Sequence, residues 1–431
     1  MKTTTQKISD YLNGHKILIL GYGREGRSAL DFIRRNLPDV EVAVADQNPI
    51  EIDDITTFSG EDYLSHVADY DLVIKSPGVV IKDYLDTEQR AKITCTTDLF
   101  IRFCDNPIIG ITGTKGKSTT SSLIYHILTH CGREAVLVGN IGKPCFDFID
   151  QLTPDTVVVM ELSCHQLEFA TISPHIAILL NLYEEHLDHY LSADDYYHAK
   201  KNIFHFQQAG DLLLYGDIFQ HCSQAEFDAS PSTKLNIYKD IDIDPNSIET
   251  HLIGEHFRYD IMAAVRACEE LGVDRQAAIA SVKDFHGLPH RLEYIGTYRK
   301  IKFYNDSIAT AQEAAISGIK GVGDVDTIIL GGMDRGLDYH VLVDFIRHSQ
   351  IHNVLLLPNT ADSMKRIFDE APYMQSIVYV PDMEAAVKLA YQVTAENHSC
   401  LLSPAAASYG FYKNFEERGD HFRELVAKYG A

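Results

Sequence analysis

The chain has 431 residues, of which 45% are hydrophobic and 23% are charged, and its formal net charge is −23. This length exceeds that of one ordinary domain and predicts two to four domains of about 100–200 residues each. The negative charge argues against general binding to nucleic acid or to an anionic membrane, because a phosphate polymer is repelled at long range. We therefore expect any anionic ligand to meet locally placed lysines and arginines.

The first residues lack an apolar signal core, and no run reaches the roughly 18 apolar residues of a membrane span. Eight cysteines are scattered without a C-x-x-C pair, which is typical of reduced thiols rather than of disulfides or zinc ligands. We expect a cytoplasmic protein without membrane insertion, and we expect it to be a monomer.

A strand, a glycine loop and a helix start open the chain. The loop Gly21-Tyr22-Gly23-Arg24-Glu25-Gly26 follows an apolar run, and the next strand ends at Asp46, twenty residues after the last glycine. In dinucleotide-binding units such glycines let the backbone approach a pyrophosphate. Another glycine turn, Lys75-Ser76-Pro77-Gly78, follows a third strand. We predict a Rossmann-like domain over residues 1–96, which taken alone would indicate a dehydrogenase.

Residues 108–120 form the most informative segment, an apolar strand followed by a glycine loop and a helix start. Glycines let backbone N–H groups surround an anion, Lys117 adds a positive charge, and the Ser118 hydroxyl can bind Mg²⁺. The strict G-x-x-x-x-G-K-[ST] pattern fails because its first position is Ile111. We nevertheless interpret the segment as an ATP-binding loop rather than as a plain turn before a helix.

Two later apolar strands, near residues 158 and 178, lead to Glu161 and to a polar stretch that contains His186. Ligands gather at the carboxyl ends of strands in open α/β sheets. We predict that these two side chains form one metal–phosphate site with Lys117 and Ser118. A single carboxylate and a histidine supply Mg²⁺ with little negative charge, so we expect a further anionic ligand.

The alternation of strands and helices starts again near residue 288. The apolar runs lie at 301–304, 327–330, 354–357, 377–380 and 400–402. This pattern predicts a Rossmann-like α/β domain with a mostly parallel sheet over residues 288–431. Residues 97–287 would then form a central P-loop-type ATPase domain, also with a mostly parallel sheet.

Several motifs together resemble those of the Mur ligases, ATP-dependent amide-forming enzymes that build the peptide of bacterial cell-wall precursors. The motifs are Gly113-Thr114-Lys115-Gly116-Lys117-Ser118, Gly139-Asn140-Ile141-Gly142, Glu161-Leu162-Ser163, His186-Leu187-Asp188 and His290-Arg291-Leu292-Glu293. The resemblance extends from the first glycine loop to Lys413-Asn414-Phe415-Glu416-Glu417-Arg418-Gly419, so it covers nearly the whole chain. It is strongest to the branch that adds D-glutamate to UDP-N-acetylmuramoyl-L-alanine.

The resemblance implies binding of ATP and of two Mg²⁺ ions. The implied ATP-binding residues are Gly113, Thr114, Lys115, Gly116, Lys117, Ser118, Thr119, Asp260, Arg291 and Asp306. The implied metal ligands are Ser118, Glu161, His186 and Lys200, and the catalytic residues are Lys117, Glu161, His186 and Lys200. The missing anion would be a carbamate formed by CO₂ on Lys200. In a helix Lys200 shares a face with Tyr196 and Phe204, which points it inward, whereas Lys201 is the alternative site.

The resemblance also assigns the first glycine loop to the uridine diphosphate of the acceptor rather than to NAD. The implied acceptor-binding residues are Gly21, Tyr22, Gly23, Asp46, Ser76, Gly78, Thr97, Asn140, Ser163, Gln166 and His186. Those implied for the incoming glutamate are Thr310, Arg335, Ser408 and Phe415, although Arg335 would otherwise belong to a turn and Ser408 to a helix cap. The implied reaction phosphorylates the acceptor carboxylate, and the glutamate amine attacks the acyl phosphate.

Two segments depart from the family pattern. Ile308 stands where many members have a lysine, and His256-Phe257-Arg258-Tyr259-Asp260 replaces a His-Asn-x-x-Asn stretch near the adenine. Because a related branch adds L-glutamate to the same acceptor, the isomer stays open, with D-glutamate favoured. Two further alternatives are a folylpolyglutamate synthetase-like ligase and an inactive Mur-like scaffold. The N-terminal nucleotide-like domain argues against the first, and the intact Lys117, Glu161 and Lys200 argue against the second.

Overall fold

The computed structural model describes residues 2–81, 84–183, 190, 192–252 and 254–431. The chain forms two compact units. The first consists of Met1–Ile248 and Arg258–Val282, and the second of Glu249–Phe257 and Lys283–Ala431. The domain boundaries at residues 96 and 287 stay predictions.

A five-stranded parallel sheet lies in the N-terminal part of the first unit. Its strands are β1 (Ile17–Leu20), β2 (Val42–Asp46), β3 (Thr56–Ser59), β4 (Leu72–Lys75) and β5 (Ile93–Thr94). The helices of this part are α1 (Thr4–Leu12), α2 (Arg24–Asn36), α3 (Thr87–Ala91) and α4 (Thr96–Phe103), with a 3₁₀ helix at Tyr63–Asp69. The spatial order is β3-β2-β1-β4-β5, and the chain direction across the sheet therefore reverses between β1 and β4. Such a reversal opens a crevice at the carboxyl ends of the two strands.

A six-stranded parallel sheet follows in the same unit. Its strands are β6 (Ile108–Thr112), β7 (Ala135–Gly139), β8 (Val157–Glu161), β9 (Ile176–Asn181), β10 (Leu212–Asp217) and β11 (Thr233–Asn236). The helices are α5 (Lys117–His130), α6 (Cys164–Leu167), α7 (Ala193–His205), α8 (Gln224–Ala229), α9 (Glu255–Glu270) and α10 (Arg275–Val282), with 3₁₀ helices at Cys145–Gln151 and Pro245–Ser247. The order β11-β10-β9-β6-β8-β7 places β6 between β9 and β8. The loop after β6 therefore lies between the ends of two neighbouring strands.

The second unit contains a six-stranded sheet. Its strands are β12 (Glu293–Tyr298), β13 (Ile301–Asn305), β14 (Val325–Gly332), β15 (Asn353–Asn359), β16 (Ser376–Tyr379) and β17 (Ser399–Leu402), in the order β12-β13-β17-β14-β15-β16. The helices are α11 (Gln312–Val322), α12 (His340–Arg347), α13 (Ala361–Asp369), α14 (Met383–Val393) and α15 (Phe415–Gly430). Only β12 pairs antiparallel with its neighbour among the described strands.

The apolar cores explain why these strands read as continuous hydrophobic runs. On β14, Ile328 and Leu330 belong to one buried cluster and Ile329 belongs to the cluster on the opposite face of the sheet. Helices cover both faces, so neither face needs polar residues. In the first unit one cluster joins the two sheets, and the rings of Phe32 and Phe146 lie 5.0 Å apart within it. The two sheets of this unit thus share a hydrophobic core.

The predicted fold class is confirmed: each of the three sheets is mostly parallel and alternates with helices. The predicted strands are present, with ends that differ by one to three residues, as in β14, which was expected at 327–330. Most strands that the sequence did not indicate, such as β3, β11 and β12, lie at sheet edges. Their half-exposed side chains produce a weak hydrophobic pattern. All eight cysteines are free.

Within the described ranges, no helix combines the length and the apolar composition needed to cross a bilayer.

We expect Gly26→Ala to lower the free energy of unfolding by about 2 kcal/mol, because overpacking of a tight contact typically has this effect. An added Cβ would clash with the Gly21 carbonyl oxygen and lie 3.0 Å from Ser76 Oγ. Urea denaturation measures the loss. Gly23→Ala is the matched control, since no heavy atom lies within 4 Å of a Cβ built there. Equal stabilities of the two variants would contradict the close packing of α2 against the loop.

Candidate active site

The loop between β6 and α5 is held in shape by side chains of neighbouring elements. Gly113 and Gly116 have φ values of +157° and +88°, a region that other residues rarely adopt. At the end of β9, Asn181 Oδ1 accepts hydrogen bonds from the N–H groups of Thr114 (3.0 Å) and Lys115 (2.9 Å). The sequence analysis missed this role of Asn181, although its place at the end of an apolar strand was a usable signal.

The N-terminus of α5 follows the loop directly. Gly116 is the N-cap residue, and no described side chain caps the helix. The first turn contains Lys117, Ser118 and Thr119, whose N–H groups lie at the positive end of the helix dipole. Helix N-termini that follow glycine loops bind phosphate groups through such N–H groups. The local structure therefore has the features that the sequence predicted for a phosphate-binding loop.

Two lysines from different helices meet at one backbone carbonyl in this loop. Lys117 Nζ donates hydrogen bonds to the carbonyl oxygens of Gly113 (2.9 Å) and Thr114 (3.1 Å). Lys200 Nζ, on α7, donates to the same Gly113 oxygen at 2.8 Å. The Lys200 side chain is only 2% exposed and its ammonium lies 4.9 Å from the centre of the Tyr196 ring. The predicted inward face of α7 is thus present, and it delivers Lys200 to the phosphate loop.

The neighbouring Lys201 is also buried but faces a different partner. Its Nζ donates to Glu226 Oε1 at 2.5 Å, and this hydrogen bond lowers the pKa of Glu226 to about 2. The sequence analysis left Lys201 as the alternative site of the carbamate. In the structure the Lys201 ammonium forms an ion pair with Glu226 of α8. Lys200 is the lysine that lies beside the phosphate loop.

Glu161, at the end of β8, is fully buried. Its Oε1 accepts a hydrogen bond from Asn140 Nδ2 at 2.6 Å, and its Oε2 accepts one from Ser121 Oγ at 3.4 Å. The backbone approaches closely here: Gly139 has φ +102°, and a Cβ at this position would clash with the Glu161 carbonyl oxygen. The glycine before Asn140 is therefore required for the amide to reach the carboxylate. A buried carboxylate with neutral partners is a suitable oxygen ligand for a hard cation.

The other predicted metal ligand, His186, lies outside the described residues together with Leu187 and Asp188. In the part of the chain that the structure describes, no group of three His, Cys, Asp or Glu side chains could hold a metal ion. The complete ligand set consequently stays a prediction.

Asp260 lies against the phosphate loop in the first unit. Its Oδ1 is 3.0 Å from the position of a Cβ built on Gly116, so a side chain larger than hydrogen would contact it. Burial raises the pKa of the Asp260 carboxyl well above its usual value, while a hydrogen bond with Thr120 lowers it less. Asp260 stands where the family pattern has an asparagine. In the structure its carboxylate lies next to Gly116 of the phosphate loop.

A cleft of about 1060 Å³ lies where the strand order of the first sheet reverses. Eight predicted acceptor-binding residues line it: Gly21, Gly23, Asp46, Ser76, Gly78, Asn140, Ser163 and Gln166. The structure does not bring Tyr22 or Thr97 into its wall; Thr97 is buried in the first turn of α4. Asp46 Oδ2 accepts the Tyr22 N–H at 2.7 Å and so braces the glycine loop. Elements of both sheets of this unit therefore form one cleft.

Glu25 also lines this cleft and was not predicted from the sequence. Its Oε1 accepts a hydrogen bond from Gln166 Nε2 at 2.7 Å, and its Oε2 accepts one from Thr96 Oγ1 at 2.6 Å. Gln166 Oε1 in turn accepts the Ser163 N–H at 2.9 Å. Burial raises the pKa of the Glu25 carboxyl. The sequence contained one signal for Glu25. A carboxylate is unexpected inside a glycine loop that should attract anions.

A buried ion pair links the two sheets of the first unit near the cleft. Lys75 Nζ, at the end of β4, lies 3.1 Å from Glu168 Oε2 and 5.5 Å from the centre of the Phe169 ring. The Lys75 side chain is 1% exposed, so the pair is shielded from solvent. This contact helps to hold the strand that carries Ser76 against the segment after α6.

In the second unit, Asp306 follows β13 and is buried. Its Oδ2 accepts a hydrogen bond from Ser403 Oγ at 2.8 Å, and its Oδ1 accepts the Leu292 N–H at 3.2 Å. Burial raises the pKa of the Asp306 carboxyl to about 6. Arg291 is exposed in the turn before β12. Asp306 thus joins three segments of the second unit, and its predicted contact with ATP stays a prediction.

Of the residues predicted to bind glutamate, Ser408 is buried and lines a small cavity of about 50 Å³ together with Arg418. Arg335 is exposed on the segment after β14, and neither it nor Thr310 lines this cavity. Phe415 begins α15, and its carbonyl oxygen accepts a hydrogen bond from Ser307 Oγ at 2.8 Å. The sequence analysis did not single out Arg418.

Comparison with known proteins gives consistent matches. A family model described as the Mur ligase middle domain matches residues 111–225. The chain is 31% identical to the UDP-N-acetylmuramoylalanine–D-glutamate ligase of Clostridium kluyveri over 99% of each chain. It is 32% identical to the ligase of the same name from Symbiobacterium thermophilum, over 85% of this chain and 86% of the relative.

The solved structure of the UDP-N-acetylmuramate-alanine ligase MurC from Thermotoga maritima matches the fold with a TM-score of 0.56. The match covers 96% of this chain and 100% of the other, at 15% identity. The chain therefore belongs to the Mur ligase family, whose members are ATP-dependent amide-forming ligases. Within that family, its full-length relatives named above carry the name UDP-N-acetylmuramoylalanine–D-glutamate ligase. The family predicted from the motifs is confirmed.

We expect Glu226→Gln to lower the free energy of unfolding by about 1–2 kcal/mol at pH 7, because it leaves the buried Lys201 ammonium without its anion. The pKa of Glu226 falls from 4.5 to about 2 on folding. A lowered pKa contributes stability above the unfolded value, and this stability is lost as the pH falls through the folded value. The difference from wild type should therefore shrink below about pH 4.5 and vanish near pH 2.

Urea denaturation across this pH range provides the measurement. Glu396→Gln is the matched control, because the Lys300–Glu396 pair has side chains that are 65% and 66% exposed. We expect that substitution to leave the stability nearly unchanged at every pH, because exposed ion pairs contribute little. A difference for Glu226→Gln that does not depend on pH would contradict the pairing of Lys201.

Proposed function

We propose that this protein uses ATP to join D-glutamate to the carboxyl group of UDP-N-acetylmuramoyl-L-alanine, a step in peptidoglycan precursor synthesis. The observation that carries the proposal is the meeting of Lys117 and Lys200 at the Gly113 carbonyl. An ordinary nucleotide loop needs one lysine. A second buried lysine from another helix supports a site that performs chemistry at the phosphate end of ATP. The names of the full-length relatives support the acceptor and the D isomer.

The reaction needs activation because a carboxylate is a poor electrophile at neutral pH. In the proposed sequence the acceptor carboxylate oxygen attacks the γ-phosphorus of ATP, and ADP leaves. The glutamate amine then attacks the carbonyl carbon of the acyl phosphate, the C–O bond to phosphate breaks, and the amine loses a proton. Inorganic phosphate and an amide are the products. Lys117 and the N–H groups at the start of α5 would hold the transferred phosphoryl group.

The donors that the chain offers fit Mg²⁺ in their chemistry. Ser118 supplies a hydroxyl at the end of the phosphate loop, and Glu161 supplies a buried carboxylate whose described partners are neutral. His186 and a carbamate on Lys200 would complete the proposed set. When bound, the metal ions offset the negative charge that accumulates as two anions approach each other. Lys200 is suited to the modification by position, since its Nζ lies beside the loop and its side chain is enclosed by α7.

The cleft at β1 and β4 would hold the uridine diphosphate end of the acceptor. Its volume of about 1060 Å³ suits a large ligand, given that pockets for small molecules measure about 300–1,000 Å³. Gly21 and Gly23 let the backbone approach a pyrophosphate at the N-terminus of α2. Asn140, Ser163 and Gln166 contribute polar groups from the second sheet of the same unit. The monomeric state and the cytoplasmic location expected from the sequence stay predictions.

We expect purified protein to release phosphate from ATP in the presence of Mg²⁺, bicarbonate and UDP-N-acetylmuramoyl-L-alanine only when glutamate is added. D-glutamate should give the higher kcat/KM, by at least about tenfold over L-glutamate, because the wrong isomer misplaces the attacking amine. A coupled assay of phosphate and ADP measures the rates, and mass spectrometry of the product identifies the amide. Preference for L-glutamate would assign the protein to the other branch. Turnover of a folate acceptor, or no turnover at all, would overturn the proposal.

We expect Lys200→Ala to reduce phosphate release by at least about 100-fold, because the site loses the proposed carbamate ligand of the metal ions that offset the charge of the transferred phosphate. Short-chain carboxylic acids such as formate or acetate should restore part of the activity by occupying the space of the carbamate. Lys201→Ala is the matched control, since its ammonium pairs with Glu226. It should lower stability but retain most of the activity. Full activity of Lys200→Ala, or acid rescue of Lys201→Ala instead, would contradict the assignment.

A further inference from the structure

Arg418, on the first turns of α15, is among the largest fully buried side chains of the described chain, with 1% exposure. Its guanidinium donates three hydrogen bonds to neutral acceptors. Nε donates to Ser307 Oγ at 3.0 Å, Nη1 to the Ala406 carbonyl oxygen at 3.0 Å, and Nη2 to the Ser307 carbonyl oxygen at 2.7 Å. No carboxylate of the described residues forms an ion pair with it. Among the described residues, the hydrogen-bond acceptors of the buried guanidinium are therefore all neutral.

The acidic residues near Arg418 in the sequence form hydrogen bonds or ion pairs with other groups. Glu417 Oε2 accepts the Lys413 N–H at 2.6 Å, and Glu416 Oε2 accepts Asn414 Nδ2 at 3.0 Å. Arg423, on the same helix, pairs with Glu293 and Asp420. Burial lowers the pKa of Arg418 to about 10, and the side chain is still cationic at pH 7. An isolated buried charge is strongly unfavourable unless an opposite charge compensates it.

Arg418 lines the cavity of about 50 Å³, whose wall also includes Ser408, Gly331, Gly332 and Tyr412. A Cβ built on Gly332 would lie 3.1 Å from Arg418 Nη1, so this glycine keeps space beside the guanidinium. An arginine has five N–H donors, and three are used, which leaves one on each terminal nitrogen. A water molecule needs about 10–15 Å³ of such volume, so this cavity accommodates a carboxylate group rather than a whole amino acid.

We propose that Arg418 binds a carboxylate of the incoming amino acid, together with the Ser408 hydroxyl, and so determines specificity for a dicarboxylic amino acid. This inference rests on the proposed function. The planar guanidinium fork matches a carboxylate in geometry and charge. Asp382 also lines the cavity, but its Oδ1 accepts the Ala385 N–H at 2.7 Å as the N-cap of α14.

The test compares Arg418→Met with the matched control Arg347→Met in the phosphate-release assay. Arg347 is a partly buried arginine of the second unit, and it also donates hydrogen bonds to backbone carbonyl oxygens, those of Ile367 and Phe368. We expect Arg418→Met to raise KM for glutamate by about 10–100-fold, as for a lost charged hydrogen bond, with KM for ATP and for the acceptor within about twofold. Millimolar guanidinium should restore part of the activity of Arg418→Met. Arg347→Met should leave all three KM values nearly unchanged.

Two results would overturn the inference: an unchanged KM for glutamate in Arg418→Met, or an equal rise of KM for all three substrates, which indicates a purely structural role. If Arg418→Met does not fold, Arg418→Lys replaces it, with an expected rise of about threefold or more in the glutamate KM because the fork is lost. If wild type releases no phosphate with glutamate, the proposed function fails. Calorimetric titration with glutamate then decides the inference, since binding lost in the Arg418 variant alone supports it and equal binding overturns it.

Discussion

The candidate active site depends on the hydrogen bonds at one backbone carbonyl, that of Gly113. This oxygen accepts from Lys117 at the start of α5 and from Lys200 on α7, and the loop that carries it is held by Asn181 at the end of β9. Gly113 has a φ of +157°, which other residues rarely adopt, so this part of the loop requires a glycine. The Gly113 carbonyl oxygen therefore fixes where the ends of the Lys117 and Lys200 side chains lie relative to the loop.

The same topological rule places the polar groups of all three sheets. In each sheet they follow the carboxyl ends of neighbouring strands: Gly21 and Ser76 after β1 and β4, Gly113 and Glu161 at β6 and β8, and Asp306 and Ser403 after β13 and β17. Parallel strands bring such ends to one edge, and each reversal of strand order leaves a gap there. Ser76 Oγ donates to the Gly21 carbonyl oxygen at 2.7 Å and Ser403 Oγ donates to Asp306, so these edges are braced by hydrogen bonds. The three sheets thus share one arrangement, in which polar groups meet at the carboxyl ends of neighbouring strands.

The buried charged side chains of this chain differ in whether their described partners are charged or neutral. Lys75 and Lys201 are buried with carboxylate partners, and such pairs need no ligand. Glu161 and Arg418 are buried with neutral hydrogen-bond partners in the described structure. A charge that is held by neutral groups remains available to an ion or a substrate of opposite charge. The proposed ligands follow this difference: a cation for Glu161 and a carboxylate for Arg418.

The sequence by itself determined the fold class, the strands in the sheet interiors, the phosphate loop and the family. These features follow from local periodicity and from glycine and lysine spacing within short segments. It also placed Lys200 on the buried face of a helix but left Lys201 open, because periodicity does not identify partners. Only the tertiary structure paired Lys201 with Glu226, joined Glu25 to Gln166 across 141 positions, and gave Arg418 neutral hydrogen-bond partners among the described residues. Partners of buried polar groups are decided by how distant segments pack, and a linear pattern does not contain that information.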